Sequence, residues 1–229
     1  MEIEIWSDIA CPYCYIASAR LARAIESFEH KSSVEVVLKS YELEPDIAVN
    51  SGESQHNAVI RKYRQNSIGA QNILDQAAHA ANQSGLIINW DKVITTNTFN
   101  AHRLVHFARQ FGKAKEMEER LFRAYFEEGK HVGEKQVLLT IALELGLDAE
   151  KLFTGELFEE EVRRDEQEAR ALGIRSVPYM LFDEKFAVNG ARSEEDFSAM
   201  LVEFEQEAIK CGIRKLPESP GCDDGSCRV

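Results

Sequence analysis

The opening residues MEIEIWSD alternate apolar and polar side chains, the pattern of a strand with one buried face. YIASARLARAIESF then spaces Ala17, Leu21, Ile25 and Phe28 as a helix does, predicting one from about Tyr15 to Glu29. VEVVLKSYEL, Val34 to Leu43, is rich in β-branched residues and predicts a second strand. Together these make a β-α-β unit, long enough for a parallel pair with a right-handed crossover.

From about Ser54 to Leu172 the strand signals nearly vanish. ILDQAAHAAN, AHRLVHFARQFG, EMEERLFRAYFEEG and VLLTIALELG read as amphipathic helices, with stops at Gly85, Gly112, Gly129 and Gly146. A charged helix from about Glu159 to Leu172 leads to GIRSVPYMLFDEKFAVNG. That stretch reads as two short strands, YMLF and KFAV, around an Asp183-Glu184 turn, with Pro178 just ahead of the first. A last helix, about Ser193 to Lys210, closes the folded part, and KLPESPGCDDGSCRV has the composition of a disordered tail. No internal repeat is evident. The expected fold class is α/β, with β-α-β and β-β-α halves sharing one sheet. Residues 1–53 and 173–210 would form that domain, 54–172 an inserted helical domain, and 211–229 a flexible cysteine-containing tail.

Composition narrows the chemistry. The chain has 229 residues, 44% hydrophobic, enough for a sizeable packed core. A formal net charge of -12 argues against nucleic acid and against an anionic membrane surface. The apolar runs are too short to span a bilayer, and the N-terminus lacks the basic and apolar regions of a signal peptide. A cytoplasmic location is therefore expected. Thiols there are kept reduced, so the five cysteines point to catalysis, redox exchange or metal rather than to a disulfide scaffold.

Two of them, Cys11 and Cys14, stand where the first strand gives way to the first helix. The unpaired N–H groups and partial positive charge of a helix start favour a thiolate at Cys11. The spacing brings Cys14 within disulfide reach. Cys11 is expected to be the exposed attacking thiolate and Cys14 the more buried resolving thiol. Pro12 suits the first helical position, where its missing N–H is no loss. Half of a zinc site is the competing reading, but His30 stands alone nearby and the remaining cysteines are far away, so the strand-helix context favours redox chemistry. Asp8, as a nearby negative charge, should raise the Cys11 pKa. It is either a proton acceptor for Cys14, if buried between the two, or a surface or helix-capping residue.

SDIACPYCYIA, NTFNAHRLVHFA, LFRAYFEEG, GIRSVPYMLF and VNGARSEEDF together resemble the DsbA-like branch of the thioredoxin superfamily, and more closely its cytoplasmic FrnE-like dithiol–disulfide isomerases. The resemblance runs from Met1 to about Phe204. It implies a thioredoxin fold with a large all-helical insertion, and exchange of protein disulfides through the Cys11–Cys14 couple. No cofactor is implied beyond that redox-active disulfide, with glutathione or the thioredoxin system as electron partner. It also implies a cis Val177-Pro178 bond beside the cysteines, the Val177 backbone receiving an extended substrate; the residues alone would suggest a trans turn proline. Tyr13 replaces the histidine of strongly oxidising periplasmic members, which implies a milder, more reducing couple.

Asn97, Thr98, His102 and Arg103 match a family block on the inserted helices; lining a substrate groove is one reading, core or capping roles the preferred one. His102 and His106 have metal-ligand spacing without a third ligand, so no metal is expected. EEEVRRDEQE reads as a solvated helix face. Two rival functions remain. Hydroxychromene-carboxylate isomerases and kappa-class glutathione transferases share this fold but carry serine where Cys11 stands. A zinc-binding or redox-sensing module would use Cys222 and Cys227. Those two thiols are alternatively a second redox pair exchanging with Cys11 and Cys14, with Cys211 a bystander.

Overall fold

Strand β1, Glu2–Ser7, sits inside a four-stranded sheet in the computed structural model, which describes residues 1–210. It pairs in parallel with β2, Glu35–Ser40, across the helix α1, Pro12–Ser27. On its other side it pairs antiparallel with β3, Tyr179–Phe182, which pairs with β4, Phe186–Asn189, giving the order β2-β1-β3-β4. Alternation along the strands sorts the two faces. Ile3, Ile5, Met180 and Phe182 join the main core with residues of α1 and the terminal helix α8, Glu194–Lys210. Trp6, Tyr179 and Leu181 face the other way, where Trp6 is fully buried and its indole N–H donates to the Asp165 carbonyl at 3.1 Å.

Between β2 and β3 the chain is helical: α2, Gln55–Tyr63; α3, Ser67–Gln83; α4, Phe99–Arg109; α5, Ala114–Phe122; α6, Lys135–Glu144; and α7, Glu159–Ala171. This is a shared sheet interrupted by a helical insertion, as the resemblance implied. The main core is continuous through it: Leu104, Leu121, Phe122 and Leu138 pack in the same cluster as the sheet residues.

The departures from the sequence reading are local. Helix α1 starts at Pro12, earlier than Tyr15, because proline at the first position costs the helix no hydrogen bond. Strand β2 ends at Ser40, short of Leu43, whose N–H is diverted to the Asp8 carboxylate. Helix α2 went unseen because QHNAVIRKY is mostly polar; it is held by the Ser54 cap, which accepts from the Asn57 N–H, and buries only Ala58 and Val59. After α5 the backbone widens into a π-helical turn, Arg123–Glu127. The run EEEVRRDEQE is not wholly solvated, since Asp165 and Glu166 are buried. The β3–β4 turn uses positive φ at Asp183 and Glu184, the mirror-image turn that suits a two-residue hairpin. Cys211, Cys222 and Cys227 lie outside the described residues.

Candidate active site

The chain leaves β1 at Ser7, and Cys11 becomes the residue just ahead of α1, in extended conformation. Pro12 follows at the start of the helix, and Cys14 lies in its first turn. The late loop Arg175–Val177 closes over this end. Val177-Pro178 is a cis peptide, and the Cys11 thiol donates to the Val177 carbonyl at 3.6 Å. Both cysteines are free. Cys11 was expected to be exposed, but it is only 5% exposed, against 1% for Cys14. The Val177 loop, distant in sequence, covers it.

Electrostatics separates the two sulfurs more than exposure does. The Cys11 pKa is lowered, chiefly because Cys14 donates to its sulfur; burial opposes this, and the Cys14 and Tyr13 backbone N–H groups add to it. The Asp8 charge pushes the other way, with the sign read from the sequence, and is outweighed. Burial first, and then the bond to Cys11, raise the Cys14 pKa well above that of an ordinary thiol. The arrangement favours a thiolate at Cys11 held by a thiol at Cys14.

Asp8 is neither on the surface nor a helix cap. It is buried, and its Oδ1 accepts from the Ala10 N–H at 3.1 Å and the Thr98 hydroxyl at 2.8 Å. Its Oδ2 accepts from the Leu43 N–H at 2.7 Å, and His102 Nε2 stands 3.5 Å from Oδ1. Burial alone would raise its pKa, yet His102 and the backbone donors hold it below the usual carboxylate range. The His102 pKa is raised in return: burial lowers it, but Asp8, then Glu42 and Glu166, prevail.

A cavity of about 340 Å³ opens beside Cys11. Cys11 and Tyr13 form one wall, Ser176 and Val177 another, and Val59, Tyr63 and Leu74 of α2 and α3 a third. Lys62 and Arg175 line it together with the carboxylates of Asp8 and Glu44, and Tyr125, presented by the π-helical turn, accepts there from Gln55 Nε2 at 2.9 Å. The inserted helices thus complete a site that the strand-helix junction begins.

Residues 2–202 match the model of the DSBA-like thioredoxin domain. The chain belongs to that family. Members of this DsbA-like family are disulfide oxidoreductases and isomerases. The chain is similar to a probable DsbA oxidoreductase, SCO1869, from Streptomyces coelicolor. That likeness has 31% identity and a TM-score of 0.82, covering 100% of this chain and 99% of the other. The uncharacterized protein YwbO of Bacillus subtilis (strain 168) is 29% identical over 154 residues, which cover 65% of this chain and 68% of the relative. The fold is also that of the cytosolic disulfide reductase DsbM from Pseudomonas aeruginosa, at 18% identity and a TM-score of 0.66, covering 91% and 100% of the two chains.

Around this DsbA-like centre, the block from Asn97 to Arg103 divides. Thr98 and His102 meet Asp8, as above. Asn97 donates to Glu42 and to the Pro45 carbonyl, tying the loop after β2. Arg103 turns away from the cavity and donates to the carbonyls of Leu152, Gly155 and Leu157. His106 meets Asp165 and Ser40 instead of sharing a ligand with His102. The sequence reading missed Ser7 and Glu118, both buried. Nothing in MEERLF marks Glu118 as buried, because it sits among other acids.

Proposed function

We propose that this chain exchanges disulfides with protein substrates through the Cys11–Cys14 couple, Cys11 attacking and Cys14 resolving. The observation that carries the reading is the opposed tuning of two adjacent sulfurs, Cys11 lowered and Cys14 raised, at a helix start beside a cavity. In the reducing direction the Cys11 thiolate attacks a substrate disulfide. A mixed disulfide forms and one substrate thiolate leaves. Cys14 then attacks Cys11, closing the Cys11–Cys14 disulfide and releasing the second substrate thiolate. The Val177 backbone, already bonded to the Cys11 thiol, would align an extended peptide at the attacking sulfur. Glutathione or the thioredoxin system would return the electrons. One structure of the Pseudomonas DsbM, which shares this fold, contains glutathione.

The motif blocks support placement in the FrnE-like group. A cytoplasmic site of action fits the reduced couple that Tyr13, in place of a cation, implies. Among the described residues no helix is long and apolar enough to cross a membrane. The test is insulin reduction with trapping. Cys11→Ser should abolish activity, and Cys14→Ser should accumulate mixed disulfides on Cys11. Activity retained in Cys11→Ser would overturn the reading.

A further inference from the structure

The cavity beside Cys11 carries polar groups that the cysteine chemistry does not use. Three segments between β2 and β3 meet there: Gln55 at the start of α2, Thr95 from the loop after α3, and Tyr125 from the π-helical turn. The loop is pinned, since Ile94 makes a β-bridge with Ser54 and the Thr95 carbonyl accepts from the Ser51 hydroxyl at 2.6 Å. Gln55 Nε2 donates to both hydroxyls, to Thr95 Oγ1 at 3.0 Å and to the Tyr125 hydroxyl at 2.9 Å. An amide nitrogen has two protons, so this bridge uses both and leaves each hydroxyl an acceptor with its own proton still to give. Two other buried hydroxyls on the cavity are already spent: Thr96 donates to the Val49 carbonyl and Thr98 to Asp8. Those of Tyr125 and Thr95, 1% and 5% exposed, meet no acceptor among the described residues. Buried donors are seldom left unused. The wall near them is apolar, with Val59, Leu74, Ala77 and Trp90, whose indole N–H is taken by the Leu74 carbonyl at 2.8 Å.

We propose that the paired hydroxyls of Tyr125 and Thr95 bind a neutral carbonyl oxygen, that of an amide, on the substrate half that becomes joined to Cys11, and so select amide-bearing thiols. The inference rests on the disulfide-exchange reading above and names a feature of its substrate. A carbonyl oxygen has two lone pairs and can take both protons at once. The negative charges of Asp8 and Glu44 both act on the Tyr125 hydroxyl, which disfavours a carboxylate in the same place. Lys62 and Arg175 line the cavity too, but from exposed positions where solvent and salt screen them. The volume, about 340 Å³, lies at the small end of ligand cavities and suits one side chain or one short arm. In the exchange the Cys11 thiolate attacks one sulfur of the disulfide, the S–S bond breaks, and its electron pair leaves with the other half as a thiolate. The amide-bearing half stays on Cys11, its carbonyl held by the two hydroxyls.

The experiment measures, by peptide mass spectrometry, how fast Cys11 forms mixed disulfides in the reduced full-length Cys14→Ser protein, where they persist. Three probes are compared: the disulfide of N-acetylcysteamine, which carries an amide; diethyl disulfide, which has no carbonyl; and 3,3′-dithiodipropionate, which carries a carboxylate. Taking ratios between probes within each protein, and comparing those across variants, cancels the probes' intrinsic reactivities. Tyr125→Phe and Thr95→Val should each lower the amide-to-ethyl ratio by about fivefold. Gln55→Glu keeps the shape of the side chain but accepts both hydroxyl protons, so the same ratio should fall by about tenfold, a response that packing alone would not give. The carboxylate-to-ethyl ratio should move by less than about twofold in Tyr125→Phe and Thr95→Val. The three changes lie on separate segments, so a variant that does not fold leaves the others to decide. An unchanged amide-to-ethyl ratio in the folded variants would overturn the proposal, and an equal fall for the carboxylate probe would overturn the choice of a neutral carbonyl. Absence of any Cys11 adduct with all three probes in Cys14→Ser would instead bring down the disulfide-exchange reading, and this assignment with it.

Discussion

His102 and His106 lie one turn apart on α4, and each faces a buried aspartate from another element. His106 Nε2 is 3.0 Å from Asp165 Oδ2 and 3.0 Å from Ser40 Oγ. Asp165 also accepts from the Ser40 N–H at 2.8 Å, and its carbonyl receives the Trp6 indole. That network is closed and ties α4 to α7 and β2. His102 Nε2 stands 3.5 Å from Asp8 and makes no hydrogen bond among the described residues. Asp8, Glu42 and Glu166 together raise its pKa. The same residue type at adjacent turns thus serves as a fastening in one place and as an adjustable charge near the cysteines in the other. Satisfaction of hydrogen bonds, more than burial, separates structural from functional polar groups here.

The largest expected effect should come from breaking the closed network. His106→Ala leaves Asp165 and Ser40 short of a partner in a dry interior, and the unfolding free energy should fall by about 3–4 kcal/mol in denaturant titrations. The ionisation of Cys11 should be unchanged. A Cys11 midpoint moved as much as by a change at His102 would erase the distinction between the two histidines.

Glu118 should respond with the opposite sign. Its carboxyl is pushed from an ordinary 4.5 up to about 7, so the fold binds that proton more tightly than the unfolded chain. Its contribution is fully favourable below the ordinary carboxylate range and is lost as pH rises toward 7. Above that, the buried charge costs at most about 3 kcal/mol. Glu118→Gln should therefore stabilise the protein at pH 8 and change little at pH 4, read from denaturation at both. A loss of stability at pH 8 would mean that Glu118 is a structural tie after all.

The position of these partners explains what the sequence could and could not disclose. The β-α-β start, the two-residue cysteine spacing and the helix punctuation depend on neighbours in the chain, and they were legible. The spacing of His102 and His106 was legible too. Their partners were not, since Asp8 and Asp165 come from other elements and nothing local distinguishes one pair from the other. Asp8 stood open between two readings for the same reason: its donors at Leu43 and Thr98 are supplied by distant segments. Cys11 was misjudged as exposed because Val177 covers it from the far end of the fold. Glu118 looked like any acid on a polar helix until packing of α5 against α1 buried it.

A smaller effect is expected at the open pair. The Asp8 contribution is present above the ordinary carboxylate range and fades as pH falls through its lowered pKa. That of His102 is present below about pH 6.5 and fades as pH rises through its raised pKa. His102→Gln should thus cost about 1 kcal/mol, mainly between roughly pH 4 and 6.5. It also leaves the Asp8 charge uncompensated beside Cys11, so the Cys11 ionisation midpoint should rise by less than about one pH unit. Equal stability loss at pH 5 and pH 9 would show that His102 acts by packing alone.

The central claim, that Cys11 and not Cys14 is the attacking thiolate, is tested most directly by the pH dependence of iodoacetamide alkylation, mapped by peptide mass spectrometry on the reduced full-length protein. Cys11 should be alkylated first, with a midpoint below that of an ordinary thiol, while Cys14 stays unmodified until well above it. Alkylation of Cys14 ahead of Cys11, or a Cys11 midpoint at or above the ordinary thiol value, would contradict the account.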